Sequence, residues 1–181
     1  MDEQEKWQNR WLMGKIGFHK NYVNDYLIDN IDLLTGGKKG IKIFVPLCGK
    51  SIDLKWFADL GHDVTGLEFC DVAIKTFFEE QQMDYAVSQM ENLKGGTIFK
   101  SKEHNIQVYC CDFFDFSSSI AGQFDAVWDR LAFGGLPPCK HKQGTIPCSN
   151  RIHEGNLWRQ MCNSHHSTRR LNGRQMEEKG A

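Results

Sequence analysis

The chain has 181 residues and a formal net charge of −1, from 22 lysines and arginines against 23 aspartates and glutamates. This length suits one domain with a sizeable core, and the balanced charge gives no electrostatic reason to bind nucleic acid or a membrane surface. No apolar run approaches the roughly 18 residues that a membrane span requires.

Targeting and redox signals in the sequence favour the cytoplasm. The first eleven residues are acidic and aromatic, unlike a signal or transit peptide. The cysteine count is seven, an odd number, and four of these residues lie in or beside apolar runs: Cys48, Cys70, Cys110 and Cys111. We therefore expect free thiols in a reducing, cytoplasmic protein.

Two helices are predicted before the first strand. The first covers residues 3–14 and places Trp7 and Trp11 four residues apart on one face, which is typical of a lid or of simple packing on the domain body. A glycine-bounded turn then leads to Phe18. The second helix is predicted over residues 20–34, with an apolar stripe on one face and two glycines at its end.

A strand–turn–helix–strand unit follows, and the rest of the chain is organised around it. Residues 41–45 are a β-rich apolar run, Ser51 can cap the next helix, and residues 62–67 form the second strand, with Glu68 just past its end. The turn after the first strand offers backbone N–H groups to a negative group. An acid at the tip of the second strand can accept hydrogen bonds from ribose hydroxyls. The pattern indicates a nucleotide-binding βαβ unit.

Two common nucleotide motifs are excluded by spacing. The G-x-G-x-x-G fingerprint of NAD and FAD proteins is absent. Gly49, Lys50 and Ser51 are reminiscent of a phosphate-binding P-loop, but Phe44 stands where that motif requires its first glycine.

The remaining elements alternate, which favours a parallel, doubly wound α/β sheet. We predict a helix capped by Asp71, irregular structure over residues 83–91, and a short edge strand. The predicted ranges are 72–82 for the helix, 97–100 for the edge strand, 106–110 for the third strand and 123–128 for the fourth strand.

Ligands of such sheets lie at the carboxyl ends of the strands. The residues there are Leu47, Glu68, Asp112, Phe113 and Arg130. Asp112 could accept a bond from an exocyclic amine, with Phe113 or its N–H beside the ring, and Arg130 could place a charge near a ligand carboxylate or a substrate. The alternative for each is a solvated loop residue.

Several strings together resemble the thiopurine S-methyltransferase family. They are WQxxW with the following GK and FH, FVPLCGKS with KWFADLGHDVTGLE, VYCCDFFD, and FDAVWDR, over about residues 4–130. The resemblance implies a class I methyltransferase with a Rossmann-like, doubly wound sheet. Its cofactor would be S-adenosylmethionine, and the methyl group would go to the sulfur of a small aromatic or heterocyclic thiol.

The resemblance also implies roles for individual residues. The residues implied to bind the cofactor are Trp7, Trp11, Phe18, Leu47, Gly49, Glu68, Asp112, Phe113 and Arg130. The three aromatic residues near the N-terminus would close over the cofactor, and Phe18 would also meet the substrate. Leu47 would contact the methionine part, Glu68 the ribose, and Asp112 and Phe113 the adenine. Arg130, near cofactor and substrate, is the candidate catalytic residue.

Little further chemistry is needed from the protein. A thiol of low pKa is already partly thiolate at neutral pH, so catalysis is mostly in-line positioning and exclusion of water. We expect no general base and no metal. We also expect a monomer whose partner is the small thiol, with neither nucleic acid nor membrane.

The resemblance ends after Arg130. Residues 131–181 carry eight lysines and arginines against three acids and contain no strand-like apolar run. We therefore divide the chain into an incomplete methyltransferase domain, 1–130, and a basic tail, 131–181, that is disordered or translated in a shifted reading frame. The sheet would then be truncated after its fourth strand, leaving that strand as a bare edge, with poor stability and weak or absent turnover.

Other interpretations remain open. The tail holds zinc-compatible residues without a compact ligand spacing: Cys139, His141, Cys148, His153, Cys162, His165 and His166. The chain could be a non-catalytic module that binds the cofactor or a partner. A Rossmann-type regulatory or oxidoreductase domain would need the glycine fingerprint that the sequence lacks.

Overall fold

The computed structural model describes residues 3–130 and three short strands further along, Cys139–His141, Gly144–Ile146 and Arg169–Asn172. Side chains are described from residue 5 to residue 130. Among these described residues, no helix has the length and apolar character needed to cross a membrane.

Helices and strands alternate through most of the described chain. The helices are α1 (Glu3–Leu12), α2 (Asp25–Asp29), α3 (Ile31–Thr35), α4 (Asp53–Asp59), α5 (Asp71–Glu80) and α6 (Ser118–Ala121), with a 3₁₀ turn at Phe113–Asp115. The strands are β1 (Lys42–Pro46), β2 (Asp63–Glu68), β3 (Tyr85–Gln89), β4 (Thr97–Ser101), β5 (Ile106–Cys110), β6 (Ala126–Asp129), β7 (Cys139–His141), β8 (Gly144–Ile146) and β9 (Arg169–Asn172).

Seven strands form one sheet in the order β3-β4-β5-β2-β1-β6-β9, and β7 pairs with β8 separately. The pairs from β5 across to β9 are parallel, whereas β3, β4 and β5 pair antiparallel. The chain moves from β1 to β2 on one side and returns to β6 on the other. In doubly wound sheets, ligands bind at the point where the strand order reverses, which here lies beside β1. The strand order and the parallel pairing confirm the predicted fold class.

The sheet is buried on both faces. Ile43 and Val45 of β1 pack with the helices α2 to α5, in a cluster that also holds Phe57 and Trp128. Phe44, between them in sequence, points to the opposite face and stacks on aromatic rings there. Because successive side chains alternate across a strand, one apolar run supplies both cores, as a parallel strand requires.

The prediction of one continuous helix over residues 20–34 is wrong. Two short helices, α2 and α3, take its place, and they meet at Asn30, where φ is −122° and helical geometry is interrupted. Asn24 begins α2, since its side chain accepts the Leu27 N–H at 3.3 Å. Two residues of the predicted apolar stripe are nevertheless buried, Leu27 and Leu34 at 0% and 1% exposure. The other two, Val23 and Ile31, are half-buried and pack against the same core.

The prediction of irregular structure over residues 83–91 is also wrong. Residues Tyr85–Gln89 form β3, which pairs antiparallel with β4. The strand predicted over residues 97–100 exists as β4, but it lies between β3 and β5 and is not an edge. β3 escaped detection because four of its five residues are exposed, so it lacks the apolar alternation that marks a half-buried strand.

The prediction that the fourth strand forms a bare edge is wrong as well. β9 pairs parallel with β6, from Ala126 opposite Arg169 to Asp129 opposite Asn172. Strand pairing uses backbone groups, so a polar stretch can add to an edge without an apolar signature. The prediction of disorder for the tail otherwise concerns residues 131–138, 142–143, 147–168 and 173–181, outside the described part of the chain.

Candidate active site

The turn after β1 holds its backbone in an unusual conformation. Leu47 has a φ of 44° and Gly49 a φ of 53°, both in the left-handed region. A leucine there is strained, and strain of this kind is concentrated at functional sites. The Cys48 N–H donates to the Leu67 carbonyl at 2.9 Å, which fixes the turn against the end of β2.

Glu68 lies beside this turn as the last residue of β2, one position inside the strand end that the sequence predicted, and is 7% exposed. Its carboxylate accepts three backbone N–H bonds, from Gly49 at 2.8 Å, Phe69 at 2.8 Å and Cys70 at 2.9 Å. Burial raises the pKa of Glu68, although these N–H donors act in the opposite direction. Three donors thus orient a carboxylate that burial alone would penalise.

The N-terminal aromatic residues form a group that we call the aromatic flap: Trp7, Trp11 and Phe18. Both tryptophan rings meet the Phe18 ring edge-on, at centroid distances of 5.8 Å and 5.6 Å. The Arg10 guanidinium lies 4.6 Å above the Trp7 ring. Phe18 as a whole residue is 40% exposed.

The aromatic flap reaches the β1 turn through Trp11. A Cβ atom placed on Gly49 would lie 2.8 Å from a Trp11 ring carbon, closer than two such atoms can approach. Glycine at this position therefore serves both the positive φ and the approach of the indole. The flap, the turn and Glu68 are parts of one site.

The end of β5 joins the same region. The Cys111 N–H donates to the Glu68 carbonyl at 3.2 Å. Asp112 is exposed, and its Oδ1 accepts the Phe114 N–H at 2.8 Å, which begins the 3₁₀ turn. Phe113 is 2% exposed and packs in the core that contains Phe44. The position of Asp112 suits a ligand contact, whereas the Phe113 ring is mainly a core group.

Arg130 follows β6 and lies at the opposite side of the β1 turn. Its side chain is 15% exposed, and Nη1 is 3.6 Å from Oδ2 of Asp53, which is fully buried. Asp53 also accepts the Trp128 Nε1–H at 2.8 Å and the Asn24 N–H at 3.2 Å. Sequence analysis missed Asp53. The available signal was an acid on the apolar stripe of α4, in line with Phe57.

A second residue missed by the sequence analysis is His19, next to Phe18. Burial lowers the pKa of His19, and the Lys50 ammonium lowers it further, while Glu80 and Asp53 act in the opposite direction. Lys50 is itself paired with Glu80 at 2.6 Å. The site therefore combines cations and carboxylates around the β1 turn and carries no large excess of either charge.

The described cysteines are free thiols, as predicted, and none is activated. Burial raises the pKa of Cys110 to about 11 and that of Cys111 to about 12, and it raises the pKa of Cys48 and Cys70 as well. Thiols of this kind are poor nucleophiles at neutral pH. The part of the chain with described side chains has no metal-binding cluster of histidine, cysteine and acid, and the zinc-compatible tail residues lie outside it.

The fold and the strand-end site define a class I methyltransferase domain. The family model of thiopurine S-methyltransferase matches residues 2–143. The chain therefore belongs to the thiopurine S-methyltransferase family, which confirms the resemblance.

Two thiopurine S-methyltransferases of known sequence agree with this assignment. The chain is 42% identical over 143 residues to a probable thiopurine S-methyltransferase of Danio rerio, covering 79% of this chain and 61% of the relative. It is 41% identical over 134 residues to the thiopurine S-methyltransferase of Lycaon pictus, covering 74% and 55%. The chain thus spans only 55–61% of the length of these relatives. A solved structure, the plantazolicin methyltransferase BpumL in complex with SAH, aligns at a TM-score of 0.45 and 17% identity, over 75% of this chain and 44% of that one.

Proposed function

We propose that this chain binds S-adenosylmethionine at the carboxyl ends of β1, β2, β5 and β6, and that it is built to methylate the sulfur of a small aromatic or heterocyclic thiol. Family membership supports the cofactor and the type of reaction. The structural observation that carries the proposal is the buried Glu68 carboxylate, held by the Gly49 N–H beneath Trp11.

The residues present fit the cofactor. A carboxylate offers about four lone-pair positions, so the backbone N–H groups of Gly49, Phe69 and Cys70 leave room on Glu68 for a ribose hydroxyl. The strained Leu47 projects from the same turn, where a methionine chain would pass. Asp112 stands at the neighbouring strand end for the adenine, and its remaining oxygen lone pairs suit an exocyclic amine.

Each part of the site would then have a physical task. The aromatic flap covers the turn and excludes water from the reacting atoms. Arg130 offers a planar guanidinium to a carboxylate of the cofactor or the acceptor, and Phe18 presents its partly exposed ring to the acceptor. When bound, S-adenosylmethionine supplies an electrophilic methyl group on a positively charged sulfur.

The chemistry asks for alignment more than for acid–base groups. An acceptor thiol with a low pKa enters as thiolate, so the protein must hold the two sulfur atoms in line with the methyl group. The inert thiols of the described chain match this assignment, because they do not compete as acceptors.

Isothermal titration of the 181-residue chain with S-adenosylmethionine tests the cofactor site. Transfer of a labelled methyl group to an aromatic thiol tests the reaction. We expect binding together with weak turnover, since the family match ends at residue 143 and the sequence after it has no strand-like apolar run. Binding without any transfer would favour the second candidate, a non-catalytic cofactor-binding module. Absence of binding would refute both.

The remaining expectations concern the setting of the protein. A reducing, cytoplasmic location is supported by the free cysteines of the described chain, and cell fractionation tests it. We also propose a monomer. The expectation that the chain binds neither nucleic acid nor membrane is supported by the balanced net charge of −1. Light scattering of the purified chain tests the monomer, and a nucleic-acid gel-shift assay and vesicle co-sedimentation test the other two expectations.

A further inference from the structure

We propose that Asp53 is a positioning residue that holds Arg130 in place for the bound ligand. This inference rests on the proposed function, because it assigns the role through the same cofactor site. It is carried by a buried network in which one carboxylate joins the beginning of α2, the end of β6 and the Arg130 guanidinium.

The Asp53 carboxylate has no contact with solvent, at 0% exposure. Its two oxygens accept hydrogen bonds from neutral donors, the Asn24 N–H on Oδ1 and the Trp128 Nε1–H on Oδ2. These bonds fix the side chain but leave its negative charge uncompensated. A buried charge of this kind requires a counter-charge, and Arg130 is placed to supply it.

The two charged groups form an ion pair without a direct hydrogen bond. Nη1 of Arg130 is 3.6 Å from Oδ2 of Asp53, longer than a direct hydrogen bond. The guanidinium has five N–H donors, so the attraction restrains Arg130 and leaves donors for an anionic group. Without Asp53, the same side chain would sample several rotamers and would lose entropy on binding a ligand.

The network also reaches the segment behind the aromatic flap. Asn24 begins α2 five residues after His19, and its N–H is held by Asp53. Asp53 lies near enough to raise the pKa of His19, while Arg130 acts on it in the opposite sense. The carboxylate at the start of α4 therefore holds the beginning of α2 and also faces Arg130.

Substitution of Asp53→Asn is the direct test. The amide keeps one acceptor oxygen and the side-chain volume but loses the charge that faces Arg130. We expect S-adenosylmethionine to bind about tenfold more weakly to this variant by isothermal titration. The Asp53→Glu variant keeps the charge and should recover part of the affinity.

Trp128→Phe is the matched structural control. It removes the Nε1–H bond to Asp53 but leaves the carboxylate facing Arg130. We expect its thermal unfolding temperature to fall and its affinity for S-adenosylmethionine to stay within about twofold of the parent chain. An affinity loss in this control as large as that of Asp53→Asn would mean that core damage explains both, and would overturn the proposal.

A double-mutant cycle separates positioning from general stability. If Asp53 acts through Arg130, Asp53→Asn adds no further loss of affinity in an Arg130→Met background. An equal loss in both backgrounds would overturn the proposal while leaving the proposed function intact. If Asp53→Asn does not fold, Asp53→Ser, which also removes the charge facing Arg130, takes its place in the cycle. A folded parent chain that fails to bind S-adenosylmethionine refutes the proposed function and this inference with it.

Discussion

Glu68 and Asp53 are both buried acids at the edge of the site, but their partners come from different parts of the chain. Glu68 accepts N–H groups from its two successors in sequence and from the turn 19 residues before it. Asp53 is held by groups 29 and 75 residues away. The first arrangement belongs to one βαβ unit, whereas the second exists only when three separate segments have packed together.

The kind of partner, backbone or side chain, determines the role that each acid can have. The backbone groups around Glu68 are fixed by the turn and do not depend on neighbouring side chains, which suits a residue that must present a constant acceptor. Asp53 instead has side chains as partners, the Trp128 indole and the Arg130 guanidinium, and of these two only the guanidinium compensates its charge. We expect substitutions at the two acids to be separable by experiment.

The largest expected effect is that of Glu68→Gln. The amide cannot accept all three backbone N–H bonds, and an unsatisfied buried donor costs about 1–3 kcal/mol. We expect the free energy of unfolding to fall by about 2 kcal/mol and S-adenosylmethionine binding to become undetectable by titration. Glu91→Gln, at an exposed acid, is the control and should change neither quantity. Retained tight binding by Glu68→Gln would remove Glu68 from the site.

The second-largest effect is expected for Gly49→Ala, because this substitution places a methyl group against the Trp11 ring at a residue with a positive φ. We expect a loss of about 2 kcal/mol in the free energy of unfolding, measured by urea denaturation. Gly37→Ala provides the matched control, since Gly37 has a φ of +68° and nothing within 4 Å of the added atom. The excess loss at Gly49 should shrink in a Trp11→Ala background, and an unchanged excess would show that Trp11 does not lie over the turn.

The pH dependence of binding should be moderate in size and specific to Glu68. Burial raises the pKa of this carboxyl, so its contribution to stability is present below the unfolded pKa and is lost as the pH rises through the folded pKa. A ligand hydroxyl donates to the ionised form, so affinity should behave in the opposite way and weaken as the pH falls through the raised pKa. Titrations at several pH values check this slope. An affinity of the parent chain that does not change with pH in the range where the Glu68 carboxyl titrates would contradict the assignment.

The smallest effect is expected at Glu80→Gln, which removes the partner of Lys50. Glu80 is 48% exposed and Lys50 is 11% exposed, so solvent screens the ion pair from the Glu80 side and its contribution is small. We expect a change within about 0.5 kcal/mol in the free energy of unfolding, measured by thermal denaturation. A loss as large as that of Glu68→Gln would contradict this, because it would show that the ion pair with Lys50 stabilises the fold as much as the buried Glu68 does.

Much of the candidate site was readable from the sequence because its determinants are local. The β1–α4–β2 unit, the exact span of β5 and the strand-end position of Glu68 follow from apolar runs, turn residues and their spacing. The contact of Trp11 with Gly49 was not readable, because it joins two segments whose separation in sequence says nothing about their distance in space.

The sequence by itself determined the family, the central βαβ unit and the residues at the strand ends, since these depend on short-range patterns. The tertiary structure alone decided the strands β3 and β9 at the sheet edges and the Asp53 network. The edge strands pair through backbone groups common to all residues, so no side-chain pattern marks them. The Asp53 charge finds its counter-charge 77 positions along the chain, in Arg130, and only packing brings the two together.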